Sequence, residues 1–167
     1  EPLLQAEYLL ECLTLLKEAG IHTAIDTSGY STSPLLPEIL KTVDLVIYDL
    51  KAAESSLYEK ITSRKMEVTE KFLELAQQIG TPLWIRQVMV PGLNDNLVNL
   101  VATAQRIAKL KNVEKIEVLP YHTLGKAKYE LMEIEYPLGN TPAMSMTDGQ
   151  KWQAQLIDLV EKLRPSK

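Results

Sequence analysis

Cysteine is almost missing from this chain: Cys12 is the only one in 167 residues, and one thiol cannot close an internal disulfide. That fits a reducing compartment, so a cytoplasmic location is the expectation. Cys12 lies inside the apolar helical pattern LLECLTLL, where packing accounts for it better than reactivity. Long apolar runs are also lacking, which excludes a helical membrane span. Neither charge sign dominates. Eighteen basic against 22 acidic side chains give a formal charge of −4, which leaves no broad basic footprint for nucleic acid. HExxH, GxSxG and paired cysteines are absent. Gly125 in HTLGKAKYE lacks the companions of a phosphate loop, and KLKNVEK at 109 to 115 reads as a solvated helix end. The chain opens Glu1-Pro2, with no initiator methionine and no signal-peptide pattern. The expectation is a piece of a longer protein.

What is present is a composition of 46% hydrophobic and 24% charged residues, that of a soluble globular protein. The length predicts a single domain over 1–167 that buries roughly 70% of the surface its unfolded chain exposes. Leu4, Tyr8, Cys12, Leu15 and Leu16 repeat at helical spacing, with Leu9 and Leu13 beside them, and predict a helix over about 5–19 ended by Gly20. IHTAID at 21–26 reads as a strand, followed by the turn-rich TSGYSTS and a short helix confined by Pro34 and Pro37. DLVIYD is a second strand whose continuous apolar run predicts burial on both faces. Ser56-x-x-Glu59 is a capping-box pattern, and a helix over 68–79 stops at Gly80. Further strands are predicted at Leu83 to Val90 and Lys115 to Leu119, around an amphipathic helix at 95–110. A long loop then runs from Pro120 to Met146 before a last helix capped at Thr147-x-x-Gln150. Strands alternating with helices imply right-handed crossovers and a parallel sheet. The opening helix has no strand of its own to cover, which points to earlier strands outside the sequence.

In such a fold the carboxyl ends of the strands form the functional face. Asp26 and Thr27 close the first strand, Asp49 and Lys51 the second, and His122 follows the fourth; Arg86 shares a face of the third with Val88 and Val90. His22 is at the far end of its strand. Side chains at i and i+2 leave a strand roughly 7 Å apart on one side. At an effective dielectric near 20, Asp49 and Lys51 would attract by only about 2.4 kcal/mol, less than the cost of burying both ions. Either both reach solvent or something else binds there. Ordinary readings stand beside each residue: turn hydrogen bonds for Asp26 and Thr27, solvation for Lys51, and an ion pair with Asp49 or Glu117 for Arg86. Together they suit a zwitterionic or phosphate-bearing small molecule.

The stretches EPLLQ, GIHTAIDTSGY, DLVIYDLK, WIRQVMVPGLND and VEKIEVLPYHTLGKAKYE resemble, in order, the glycyl-radical-enzyme activating enzymes of the radical S-adenosylmethionine (SAM) superfamily. The resemblance implies a partial (β/α)6 TIM-like barrel, of which this chain would hold about four parallel strands with flanking helices. It implies that Glu1-Pro2 is the tail of a Gly-Gly-Glu-Pro motif meeting the amino group of S-adenosylmethionine, and that Lys51, Arg86 and His122 contact the same cofactor. Asp26, Thr27 and Asp49, with the Ile47 carbonyl, are implied ligands of a monovalent cation. Members carry a C-x3-C-x2-C loop that holds a [4Fe-4S] cluster, which a chain with one cysteine cannot build. The partner implied is a glycyl radical enzyme such as pyruvate formate-lyase, and this chain alone is expected to be inactive. Two other classes fit the rim: a small βα enzyme acting on a phosphorylated metabolite, and a non-catalytic docking module using the 120–146 loop. The exposed sheet edge left by absent strands predicts self-association.

Overall fold

A computed structural model describes residues 1–164. Four parallel strands, β1 (Ala24–Thr27), β2 (Leu45–Asp49), β3 (Leu83–Met89) and β4 (Val113–Pro120), lie in sequence order within one sheet. After a 3-10 turn at Pro2–Gln5 come the helices α1 (Ala6–Glu18), α2 (Leu36–Thr42), α3 (Ser55–Thr62), α4 (Glu67–Ile79), α5 (Leu97–Ala108), α6 (Lys126–Leu131) and α7 (Met146–Leu163). Unbroken neighbour order with a helix in each crossover covers the sheet on one side, as in the wall of a (β/α) barrel.

Register assigns the side chains to faces. Ile25, Val46, Leu83 and Ile85, with Tyr48 and Met89, point toward the helices and are buried. Phe72 of α4 stacks on Tyr48 with ring centroids 6.1 Å apart. Burial pushes the Tyr48 hydroxyl up to about 12. Gly29, just past β1, takes a φ of +73°, and a Cβ there would lie 2.7 Å from the Phe72 ring. Glycine is required both by the backbone and by the ring against it.

The opposite face holds Asp26, Ile47, Asp49, Trp84, Arg86, Lys115 and Glu117. The expected burial of β2 on both faces is therefore corrected: Ile47 and Asp49 are only partly buried, because the helices cover one side. β4 runs longer than predicted, and the register between β3 and β4 shifts at Leu83/Trp84, so that Val113 and Lys115 pair with consecutive residues. The bulge lets Val113 and Ile116 both face the helices.

Several helix boundaries differ from expectation. Ser56 lies inside α3, whose N-cap is the extended Glu54 without a side-chain cap bond, so the Ser56/Glu59 box does not form. The Ser145 side chain, not Thr147, caps α7 by accepting from the Asp148 N–H at 3.0 Å. The 120–146 segment contains α6, too short to show a period in the sequence. In α1 the buried side chains are Ala6 and Leu13, while Leu4 of the preceding turn, Tyr8 and Leu15 stand exposed. Cys12 is half-buried. The helix packs on α2, with Leu9 and Leu10 partly buried against the core.

Candidate cofactor site at the strand exits

Three clusters occupy the rim. In the first, the Glu1 carboxylate accepts from the Thr27 hydroxyl, from the Ser28 N–H at 3.1 Å and from the Ser28 hydroxyl at 2.6 Å. Partial burial opposes the charge, but the hydrogen bonds from Ser28 and Thr27 prevail and hold this carboxyl below its ordinary value. Thr27 is buried, and its oxygen also accepts from the Gly29 N–H at 2.9 Å, which shapes the turn after β1.

The second cluster is a row across the open face. Arg86 lies opposite Asp49 in register, yet its Nη1 donates to Asp26 Oδ2 at 2.7 Å, and its Nε faces Glu117 Oε2 at 3.4 Å. Reaching from β3 to β1 means crossing β2, a span of about 10 Å that the long guanidinium side chain bridges above Ile47. Lys115 donates to Glu117 at 3.0 Å and sits 4.6 Å from the Trp84 ring centroid. That bond, with the Lys115 and Arg86 charges, keeps the Glu117 carboxyl below its usual range. Of the two sequence alternatives for Arg86, Glu117 is the partner and Asp49 is not; the Asp26 pairing was visible only once register was known.

In the third cluster, Lys51 is paired with Asp49 Oδ2. The other carboxylate oxygen, Asp49 Oδ1, is buried without a hydrogen-bond partner. An orphaned charged acceptor is costly, so the pair remains incomplete without a further group. Behind it, Arg106 of α5 donates to the Ala52 carbonyl at 3.4 Å, which ties down the segment bearing Lys51.

The structure thus sets these residues at the strand exits in three separate groups: Glu1 on Thr27, Arg86 on Asp26, and Lys51 on Asp49. His122 is exposed in the segment after β4, and His22 is exposed before β1. Asp26 and Thr27 point to opposite faces. Among the described residues no three or more histidine, cysteine, aspartate and glutamate side chains come together as a metal-binding group. With Cys12 far back in α1, these residues do not fit an iron–sulfur cluster. Asp49 Oδ1 beside Lys51 does fit a ligand carrying both positive and negative groups.

A wall of parallel strands with its polar residues at the carboxyl ends is the architecture of α/β barrels, in which ligands are bound at that end of the strands. Residues 1–104 match the Radical SAM superfamily. Over 161 residues the chain is 44% identical to the pyruvate formate-lyase-activating enzyme of Clostridium pasteurianum, covering 96% of this chain and 67% of that protein. It is 35% identical over 144 residues to the enzyme of that name from Listeria monocytogenes, covering 83% of this chain and 58% of the relative. Among solved structures, a domain of pyruvate-formate lyase-activating enzyme from Bacteroides vulgatus superposes with a TM-score of 0.76 at 24% identity, covering 99% of this chain and 92% of that one. Coproporphyrinogen III oxidase of Escherichia coli, a radical SAM enzyme, shares the fold with a TM-score of 0.64 at 14% identity, over 95% of this chain and 37% of that one. The chain belongs to the radical SAM superfamily, alongside the pyruvate formate-lyase-activating enzymes. It spans about two thirds or less of the length of these curated relatives.

Proposed function

We propose that these residues form a single domain, the later part of an activase that in full length uses S-adenosylmethionine and a [4Fe-4S] cluster to generate a glycyl radical on a partner enzyme such as pyruvate formate-lyase. The observation that carries the reading is the unpartnered, buried Asp49 Oδ1 beside Lys51 at the exit of β2. Lys51 meets the cofactor's carboxylate, with Glu1, Arg86 and His122 as its other contacts. Asp49, Asp26, Thr27 and the Ile47 carbonyl are the cation ligands, and Asp49 is the member already free to bind. Asp26 must first share Arg86, and Thr27 must share Glu1. The chain has no cysteine trio, so alone it is inactive.

The reading is tested by joining to Glu1 the amino-terminal third of the Clostridium pasteurianum relative. The joined protein, purified without oxygen, is mixed with S-adenosylmethionine, a reductant and pyruvate formate-lyase. The expected result is a protein radical by electron paramagnetic resonance whose signal narrows with deuterated glycine, lost on Asp49→Ala and absent with the 167-residue chain alone. No radical from the folded, cluster-loaded joined protein overturns the reading.

Among the described residues no strand lies beyond the edge of β1, and Leu4, Tyr8 and Leu15, from the opening turn and α1, are exposed. In full length, upstream strands continue the sheet there. The isolated chain pairs with a second copy across this edge, and a strict monomer by light scattering at high concentration contradicts that.

A further inference from the structure

Lys51 lines two cavities at the strand exits. One, of about 340 Å³, lies between the exits of β2 and β3, with Asp49, Lys60, Leu93 and Tyr136 among its walls. The other, of about 310 Å³, is lined by Lys51 together with Glu1, Ser28 and Arg64. Among the described residues Lys51 alone lines both, so the place its ammonium takes decides which space it serves. A lysine side chain is flexible and carries a single charged tip, and its placement depends on how firmly the backbone beneath it is held.

The two flanks of Lys51 are held in different ways. Before it, Leu50 is buried and its N–H donates to the Arg86 carbonyl at 2.8 Å, which fastens that flank to β3. After it, Ala52 is buried only in a small cluster with Tyr58 and Met66, separate from the main core. The helix that follows, α3, is not among the elements that pack closely on one another.

Arg106 of α5 fastens this second flank. Its Nη1 donates to the Ala52 carbonyl at 3.4 Å and meets Met66 Sδ at 2.8 Å, and its Nη2 stands 3.9 Å from Glu70 Oε1. The side chain is 15% exposed. One forked guanidinium therefore ties α5 and the start of α4 to the loop after β2, which a single-donor side chain could not do. Arg106 lines neither cavity, so any effect it has on a ligand there must pass through the loop.

We propose that Arg106 is a positioning residue for the cofactor: through the Ala52 carbonyl it holds the loop that keeps the Lys51 ammonium at Asp49, where the cofactor's carboxylate is met. The proposal rests on the reading of Lys51 as the carboxylate contact, and adds a residue that touches no ligand itself. Without Arg106, Lys51 keeps its charge but has one fixed flank in place of two. Displacing a binding group by about 1 Å is enough to lose most of what it contributes.

The test uses the joined protein, cluster-loaded and purified without oxygen, carrying Arg106→Met, Lys51→Met or both. Equilibrium dialysis compares S-adenosylmethionine with decarboxylated S-adenosylmethionine, which lacks only the carboxylate. Arg106→Met should weaken S-adenosylmethionine about tenfold and leave the decarboxylated ligand within about twofold. In the Lys51→Met background the same substitution should add no more than about twofold, because the two residues act as one unit. A general loss of structure would instead weaken both ligands alike and add to Lys51→Met. Unchanged S-adenosylmethionine binding in Arg106→Met, equal losses for the two ligands, or full additivity with Lys51→Met overturns the proposal. Should Arg106→Met fail to fold, Arg106→Lys, which keeps the charge and gives up the fork, should show the same split between ligands at smaller size; no split there also overturns it. The radical assay separates the two readings. Radical formation without the split removes the role of Arg106 alone, whereas the split without radical formation removes the activase reading and leaves Arg106 positioning a carboxylate site.

Discussion

On the helix-covered face of the sheet, Ile25, Val46, Tyr48, Leu83, Ile85 and Met89 are almost wholly buried, whereas on the open face Asp26, Asp49, Arg86, Lys115 and Glu117 remain partly in solvent. The strands are the same, and alternate residues serve opposite ends. Each large apolar side chain removed from water on the first face contributes about 1.5–3 kcal/mol. Each partly solvated ion pair on the second contributes about 0–1 kcal/mol. The helix side therefore supplies stability, and the open side is free to hold charges arranged for a ligand. Asp49 Oδ1, left without a partner, is tolerable because the other face supports the fold.

The largest test of this contrast is Phe72→Ala, which removes a fully buried ring stacked on Tyr48. It should cost about 3–5 kcal/mol in urea unfolding; a loss below 1 kcal/mol would mean the helix side is not where stability resides. Gly29→Ala comes next, at about 2–4 kcal/mol, because a positive φ and a Cβ pressed on the Phe72 ring act together. In the Phe72→Ala background its cost should shrink, since the ring that crowds it is gone.

Arg86→Met should change stability by no more than about 1 kcal/mol: the Asp26 side chain it releases is 57% exposed, and Glu117 retains Lys115. The joined protein should nevertheless lose S-adenosylmethionine binding by equilibrium dialysis. A large stability loss with binding intact would reverse the roles assigned to the two faces.

The smallest effect is that of acid. Glu1 and Glu117 have carboxyls depressed from an ordinary value of 4.5. A depressed folded value means that their stabilisation is complete above that ordinary value and is lost as pH falls through the folded one. Thermal unfolding followed on acidification should show this loss, and Glu1→Gln should flatten part of it. An unchanged curve in Glu1→Gln would detach the Glu1 cluster from the fold.

Much of this was legible in the sequence. Alternating strand and helix patterns gave parallel order, and the apolar runs at Ile25, Val46 and Ile85 located three of the strands. Asp26, Asp49 and Lys51 could be put on one rim by position alone, because a strand's direction determines which end its last residues occupy, and Arg86 could be put on one face of the third strand by its alternation with Val88 and Val90. Their partners could not be read. Arg86 reaches past its register neighbour Asp49 to Asp26, and only the spacing of three strands decides that. The apolar stripe of α1 was visible, but not which part of it would meet α2. The walls of the cavity between the exits of β2 and β3 also escaped, since Lys60, Leu93 and Tyr136 come from three separate segments and carry no common motif.

The sequence by itself determined the elements, their order and the charged residues that end the strands, because these depend on local period and on chain direction. Tertiary structure alone decided which charges neutralise each other, which carboxylate oxygen stays unpartnered, and which apolar side chains enclose a cavity. Those outcomes depend on distances between segments far apart in the chain, set by sheet register and by packing against the helices.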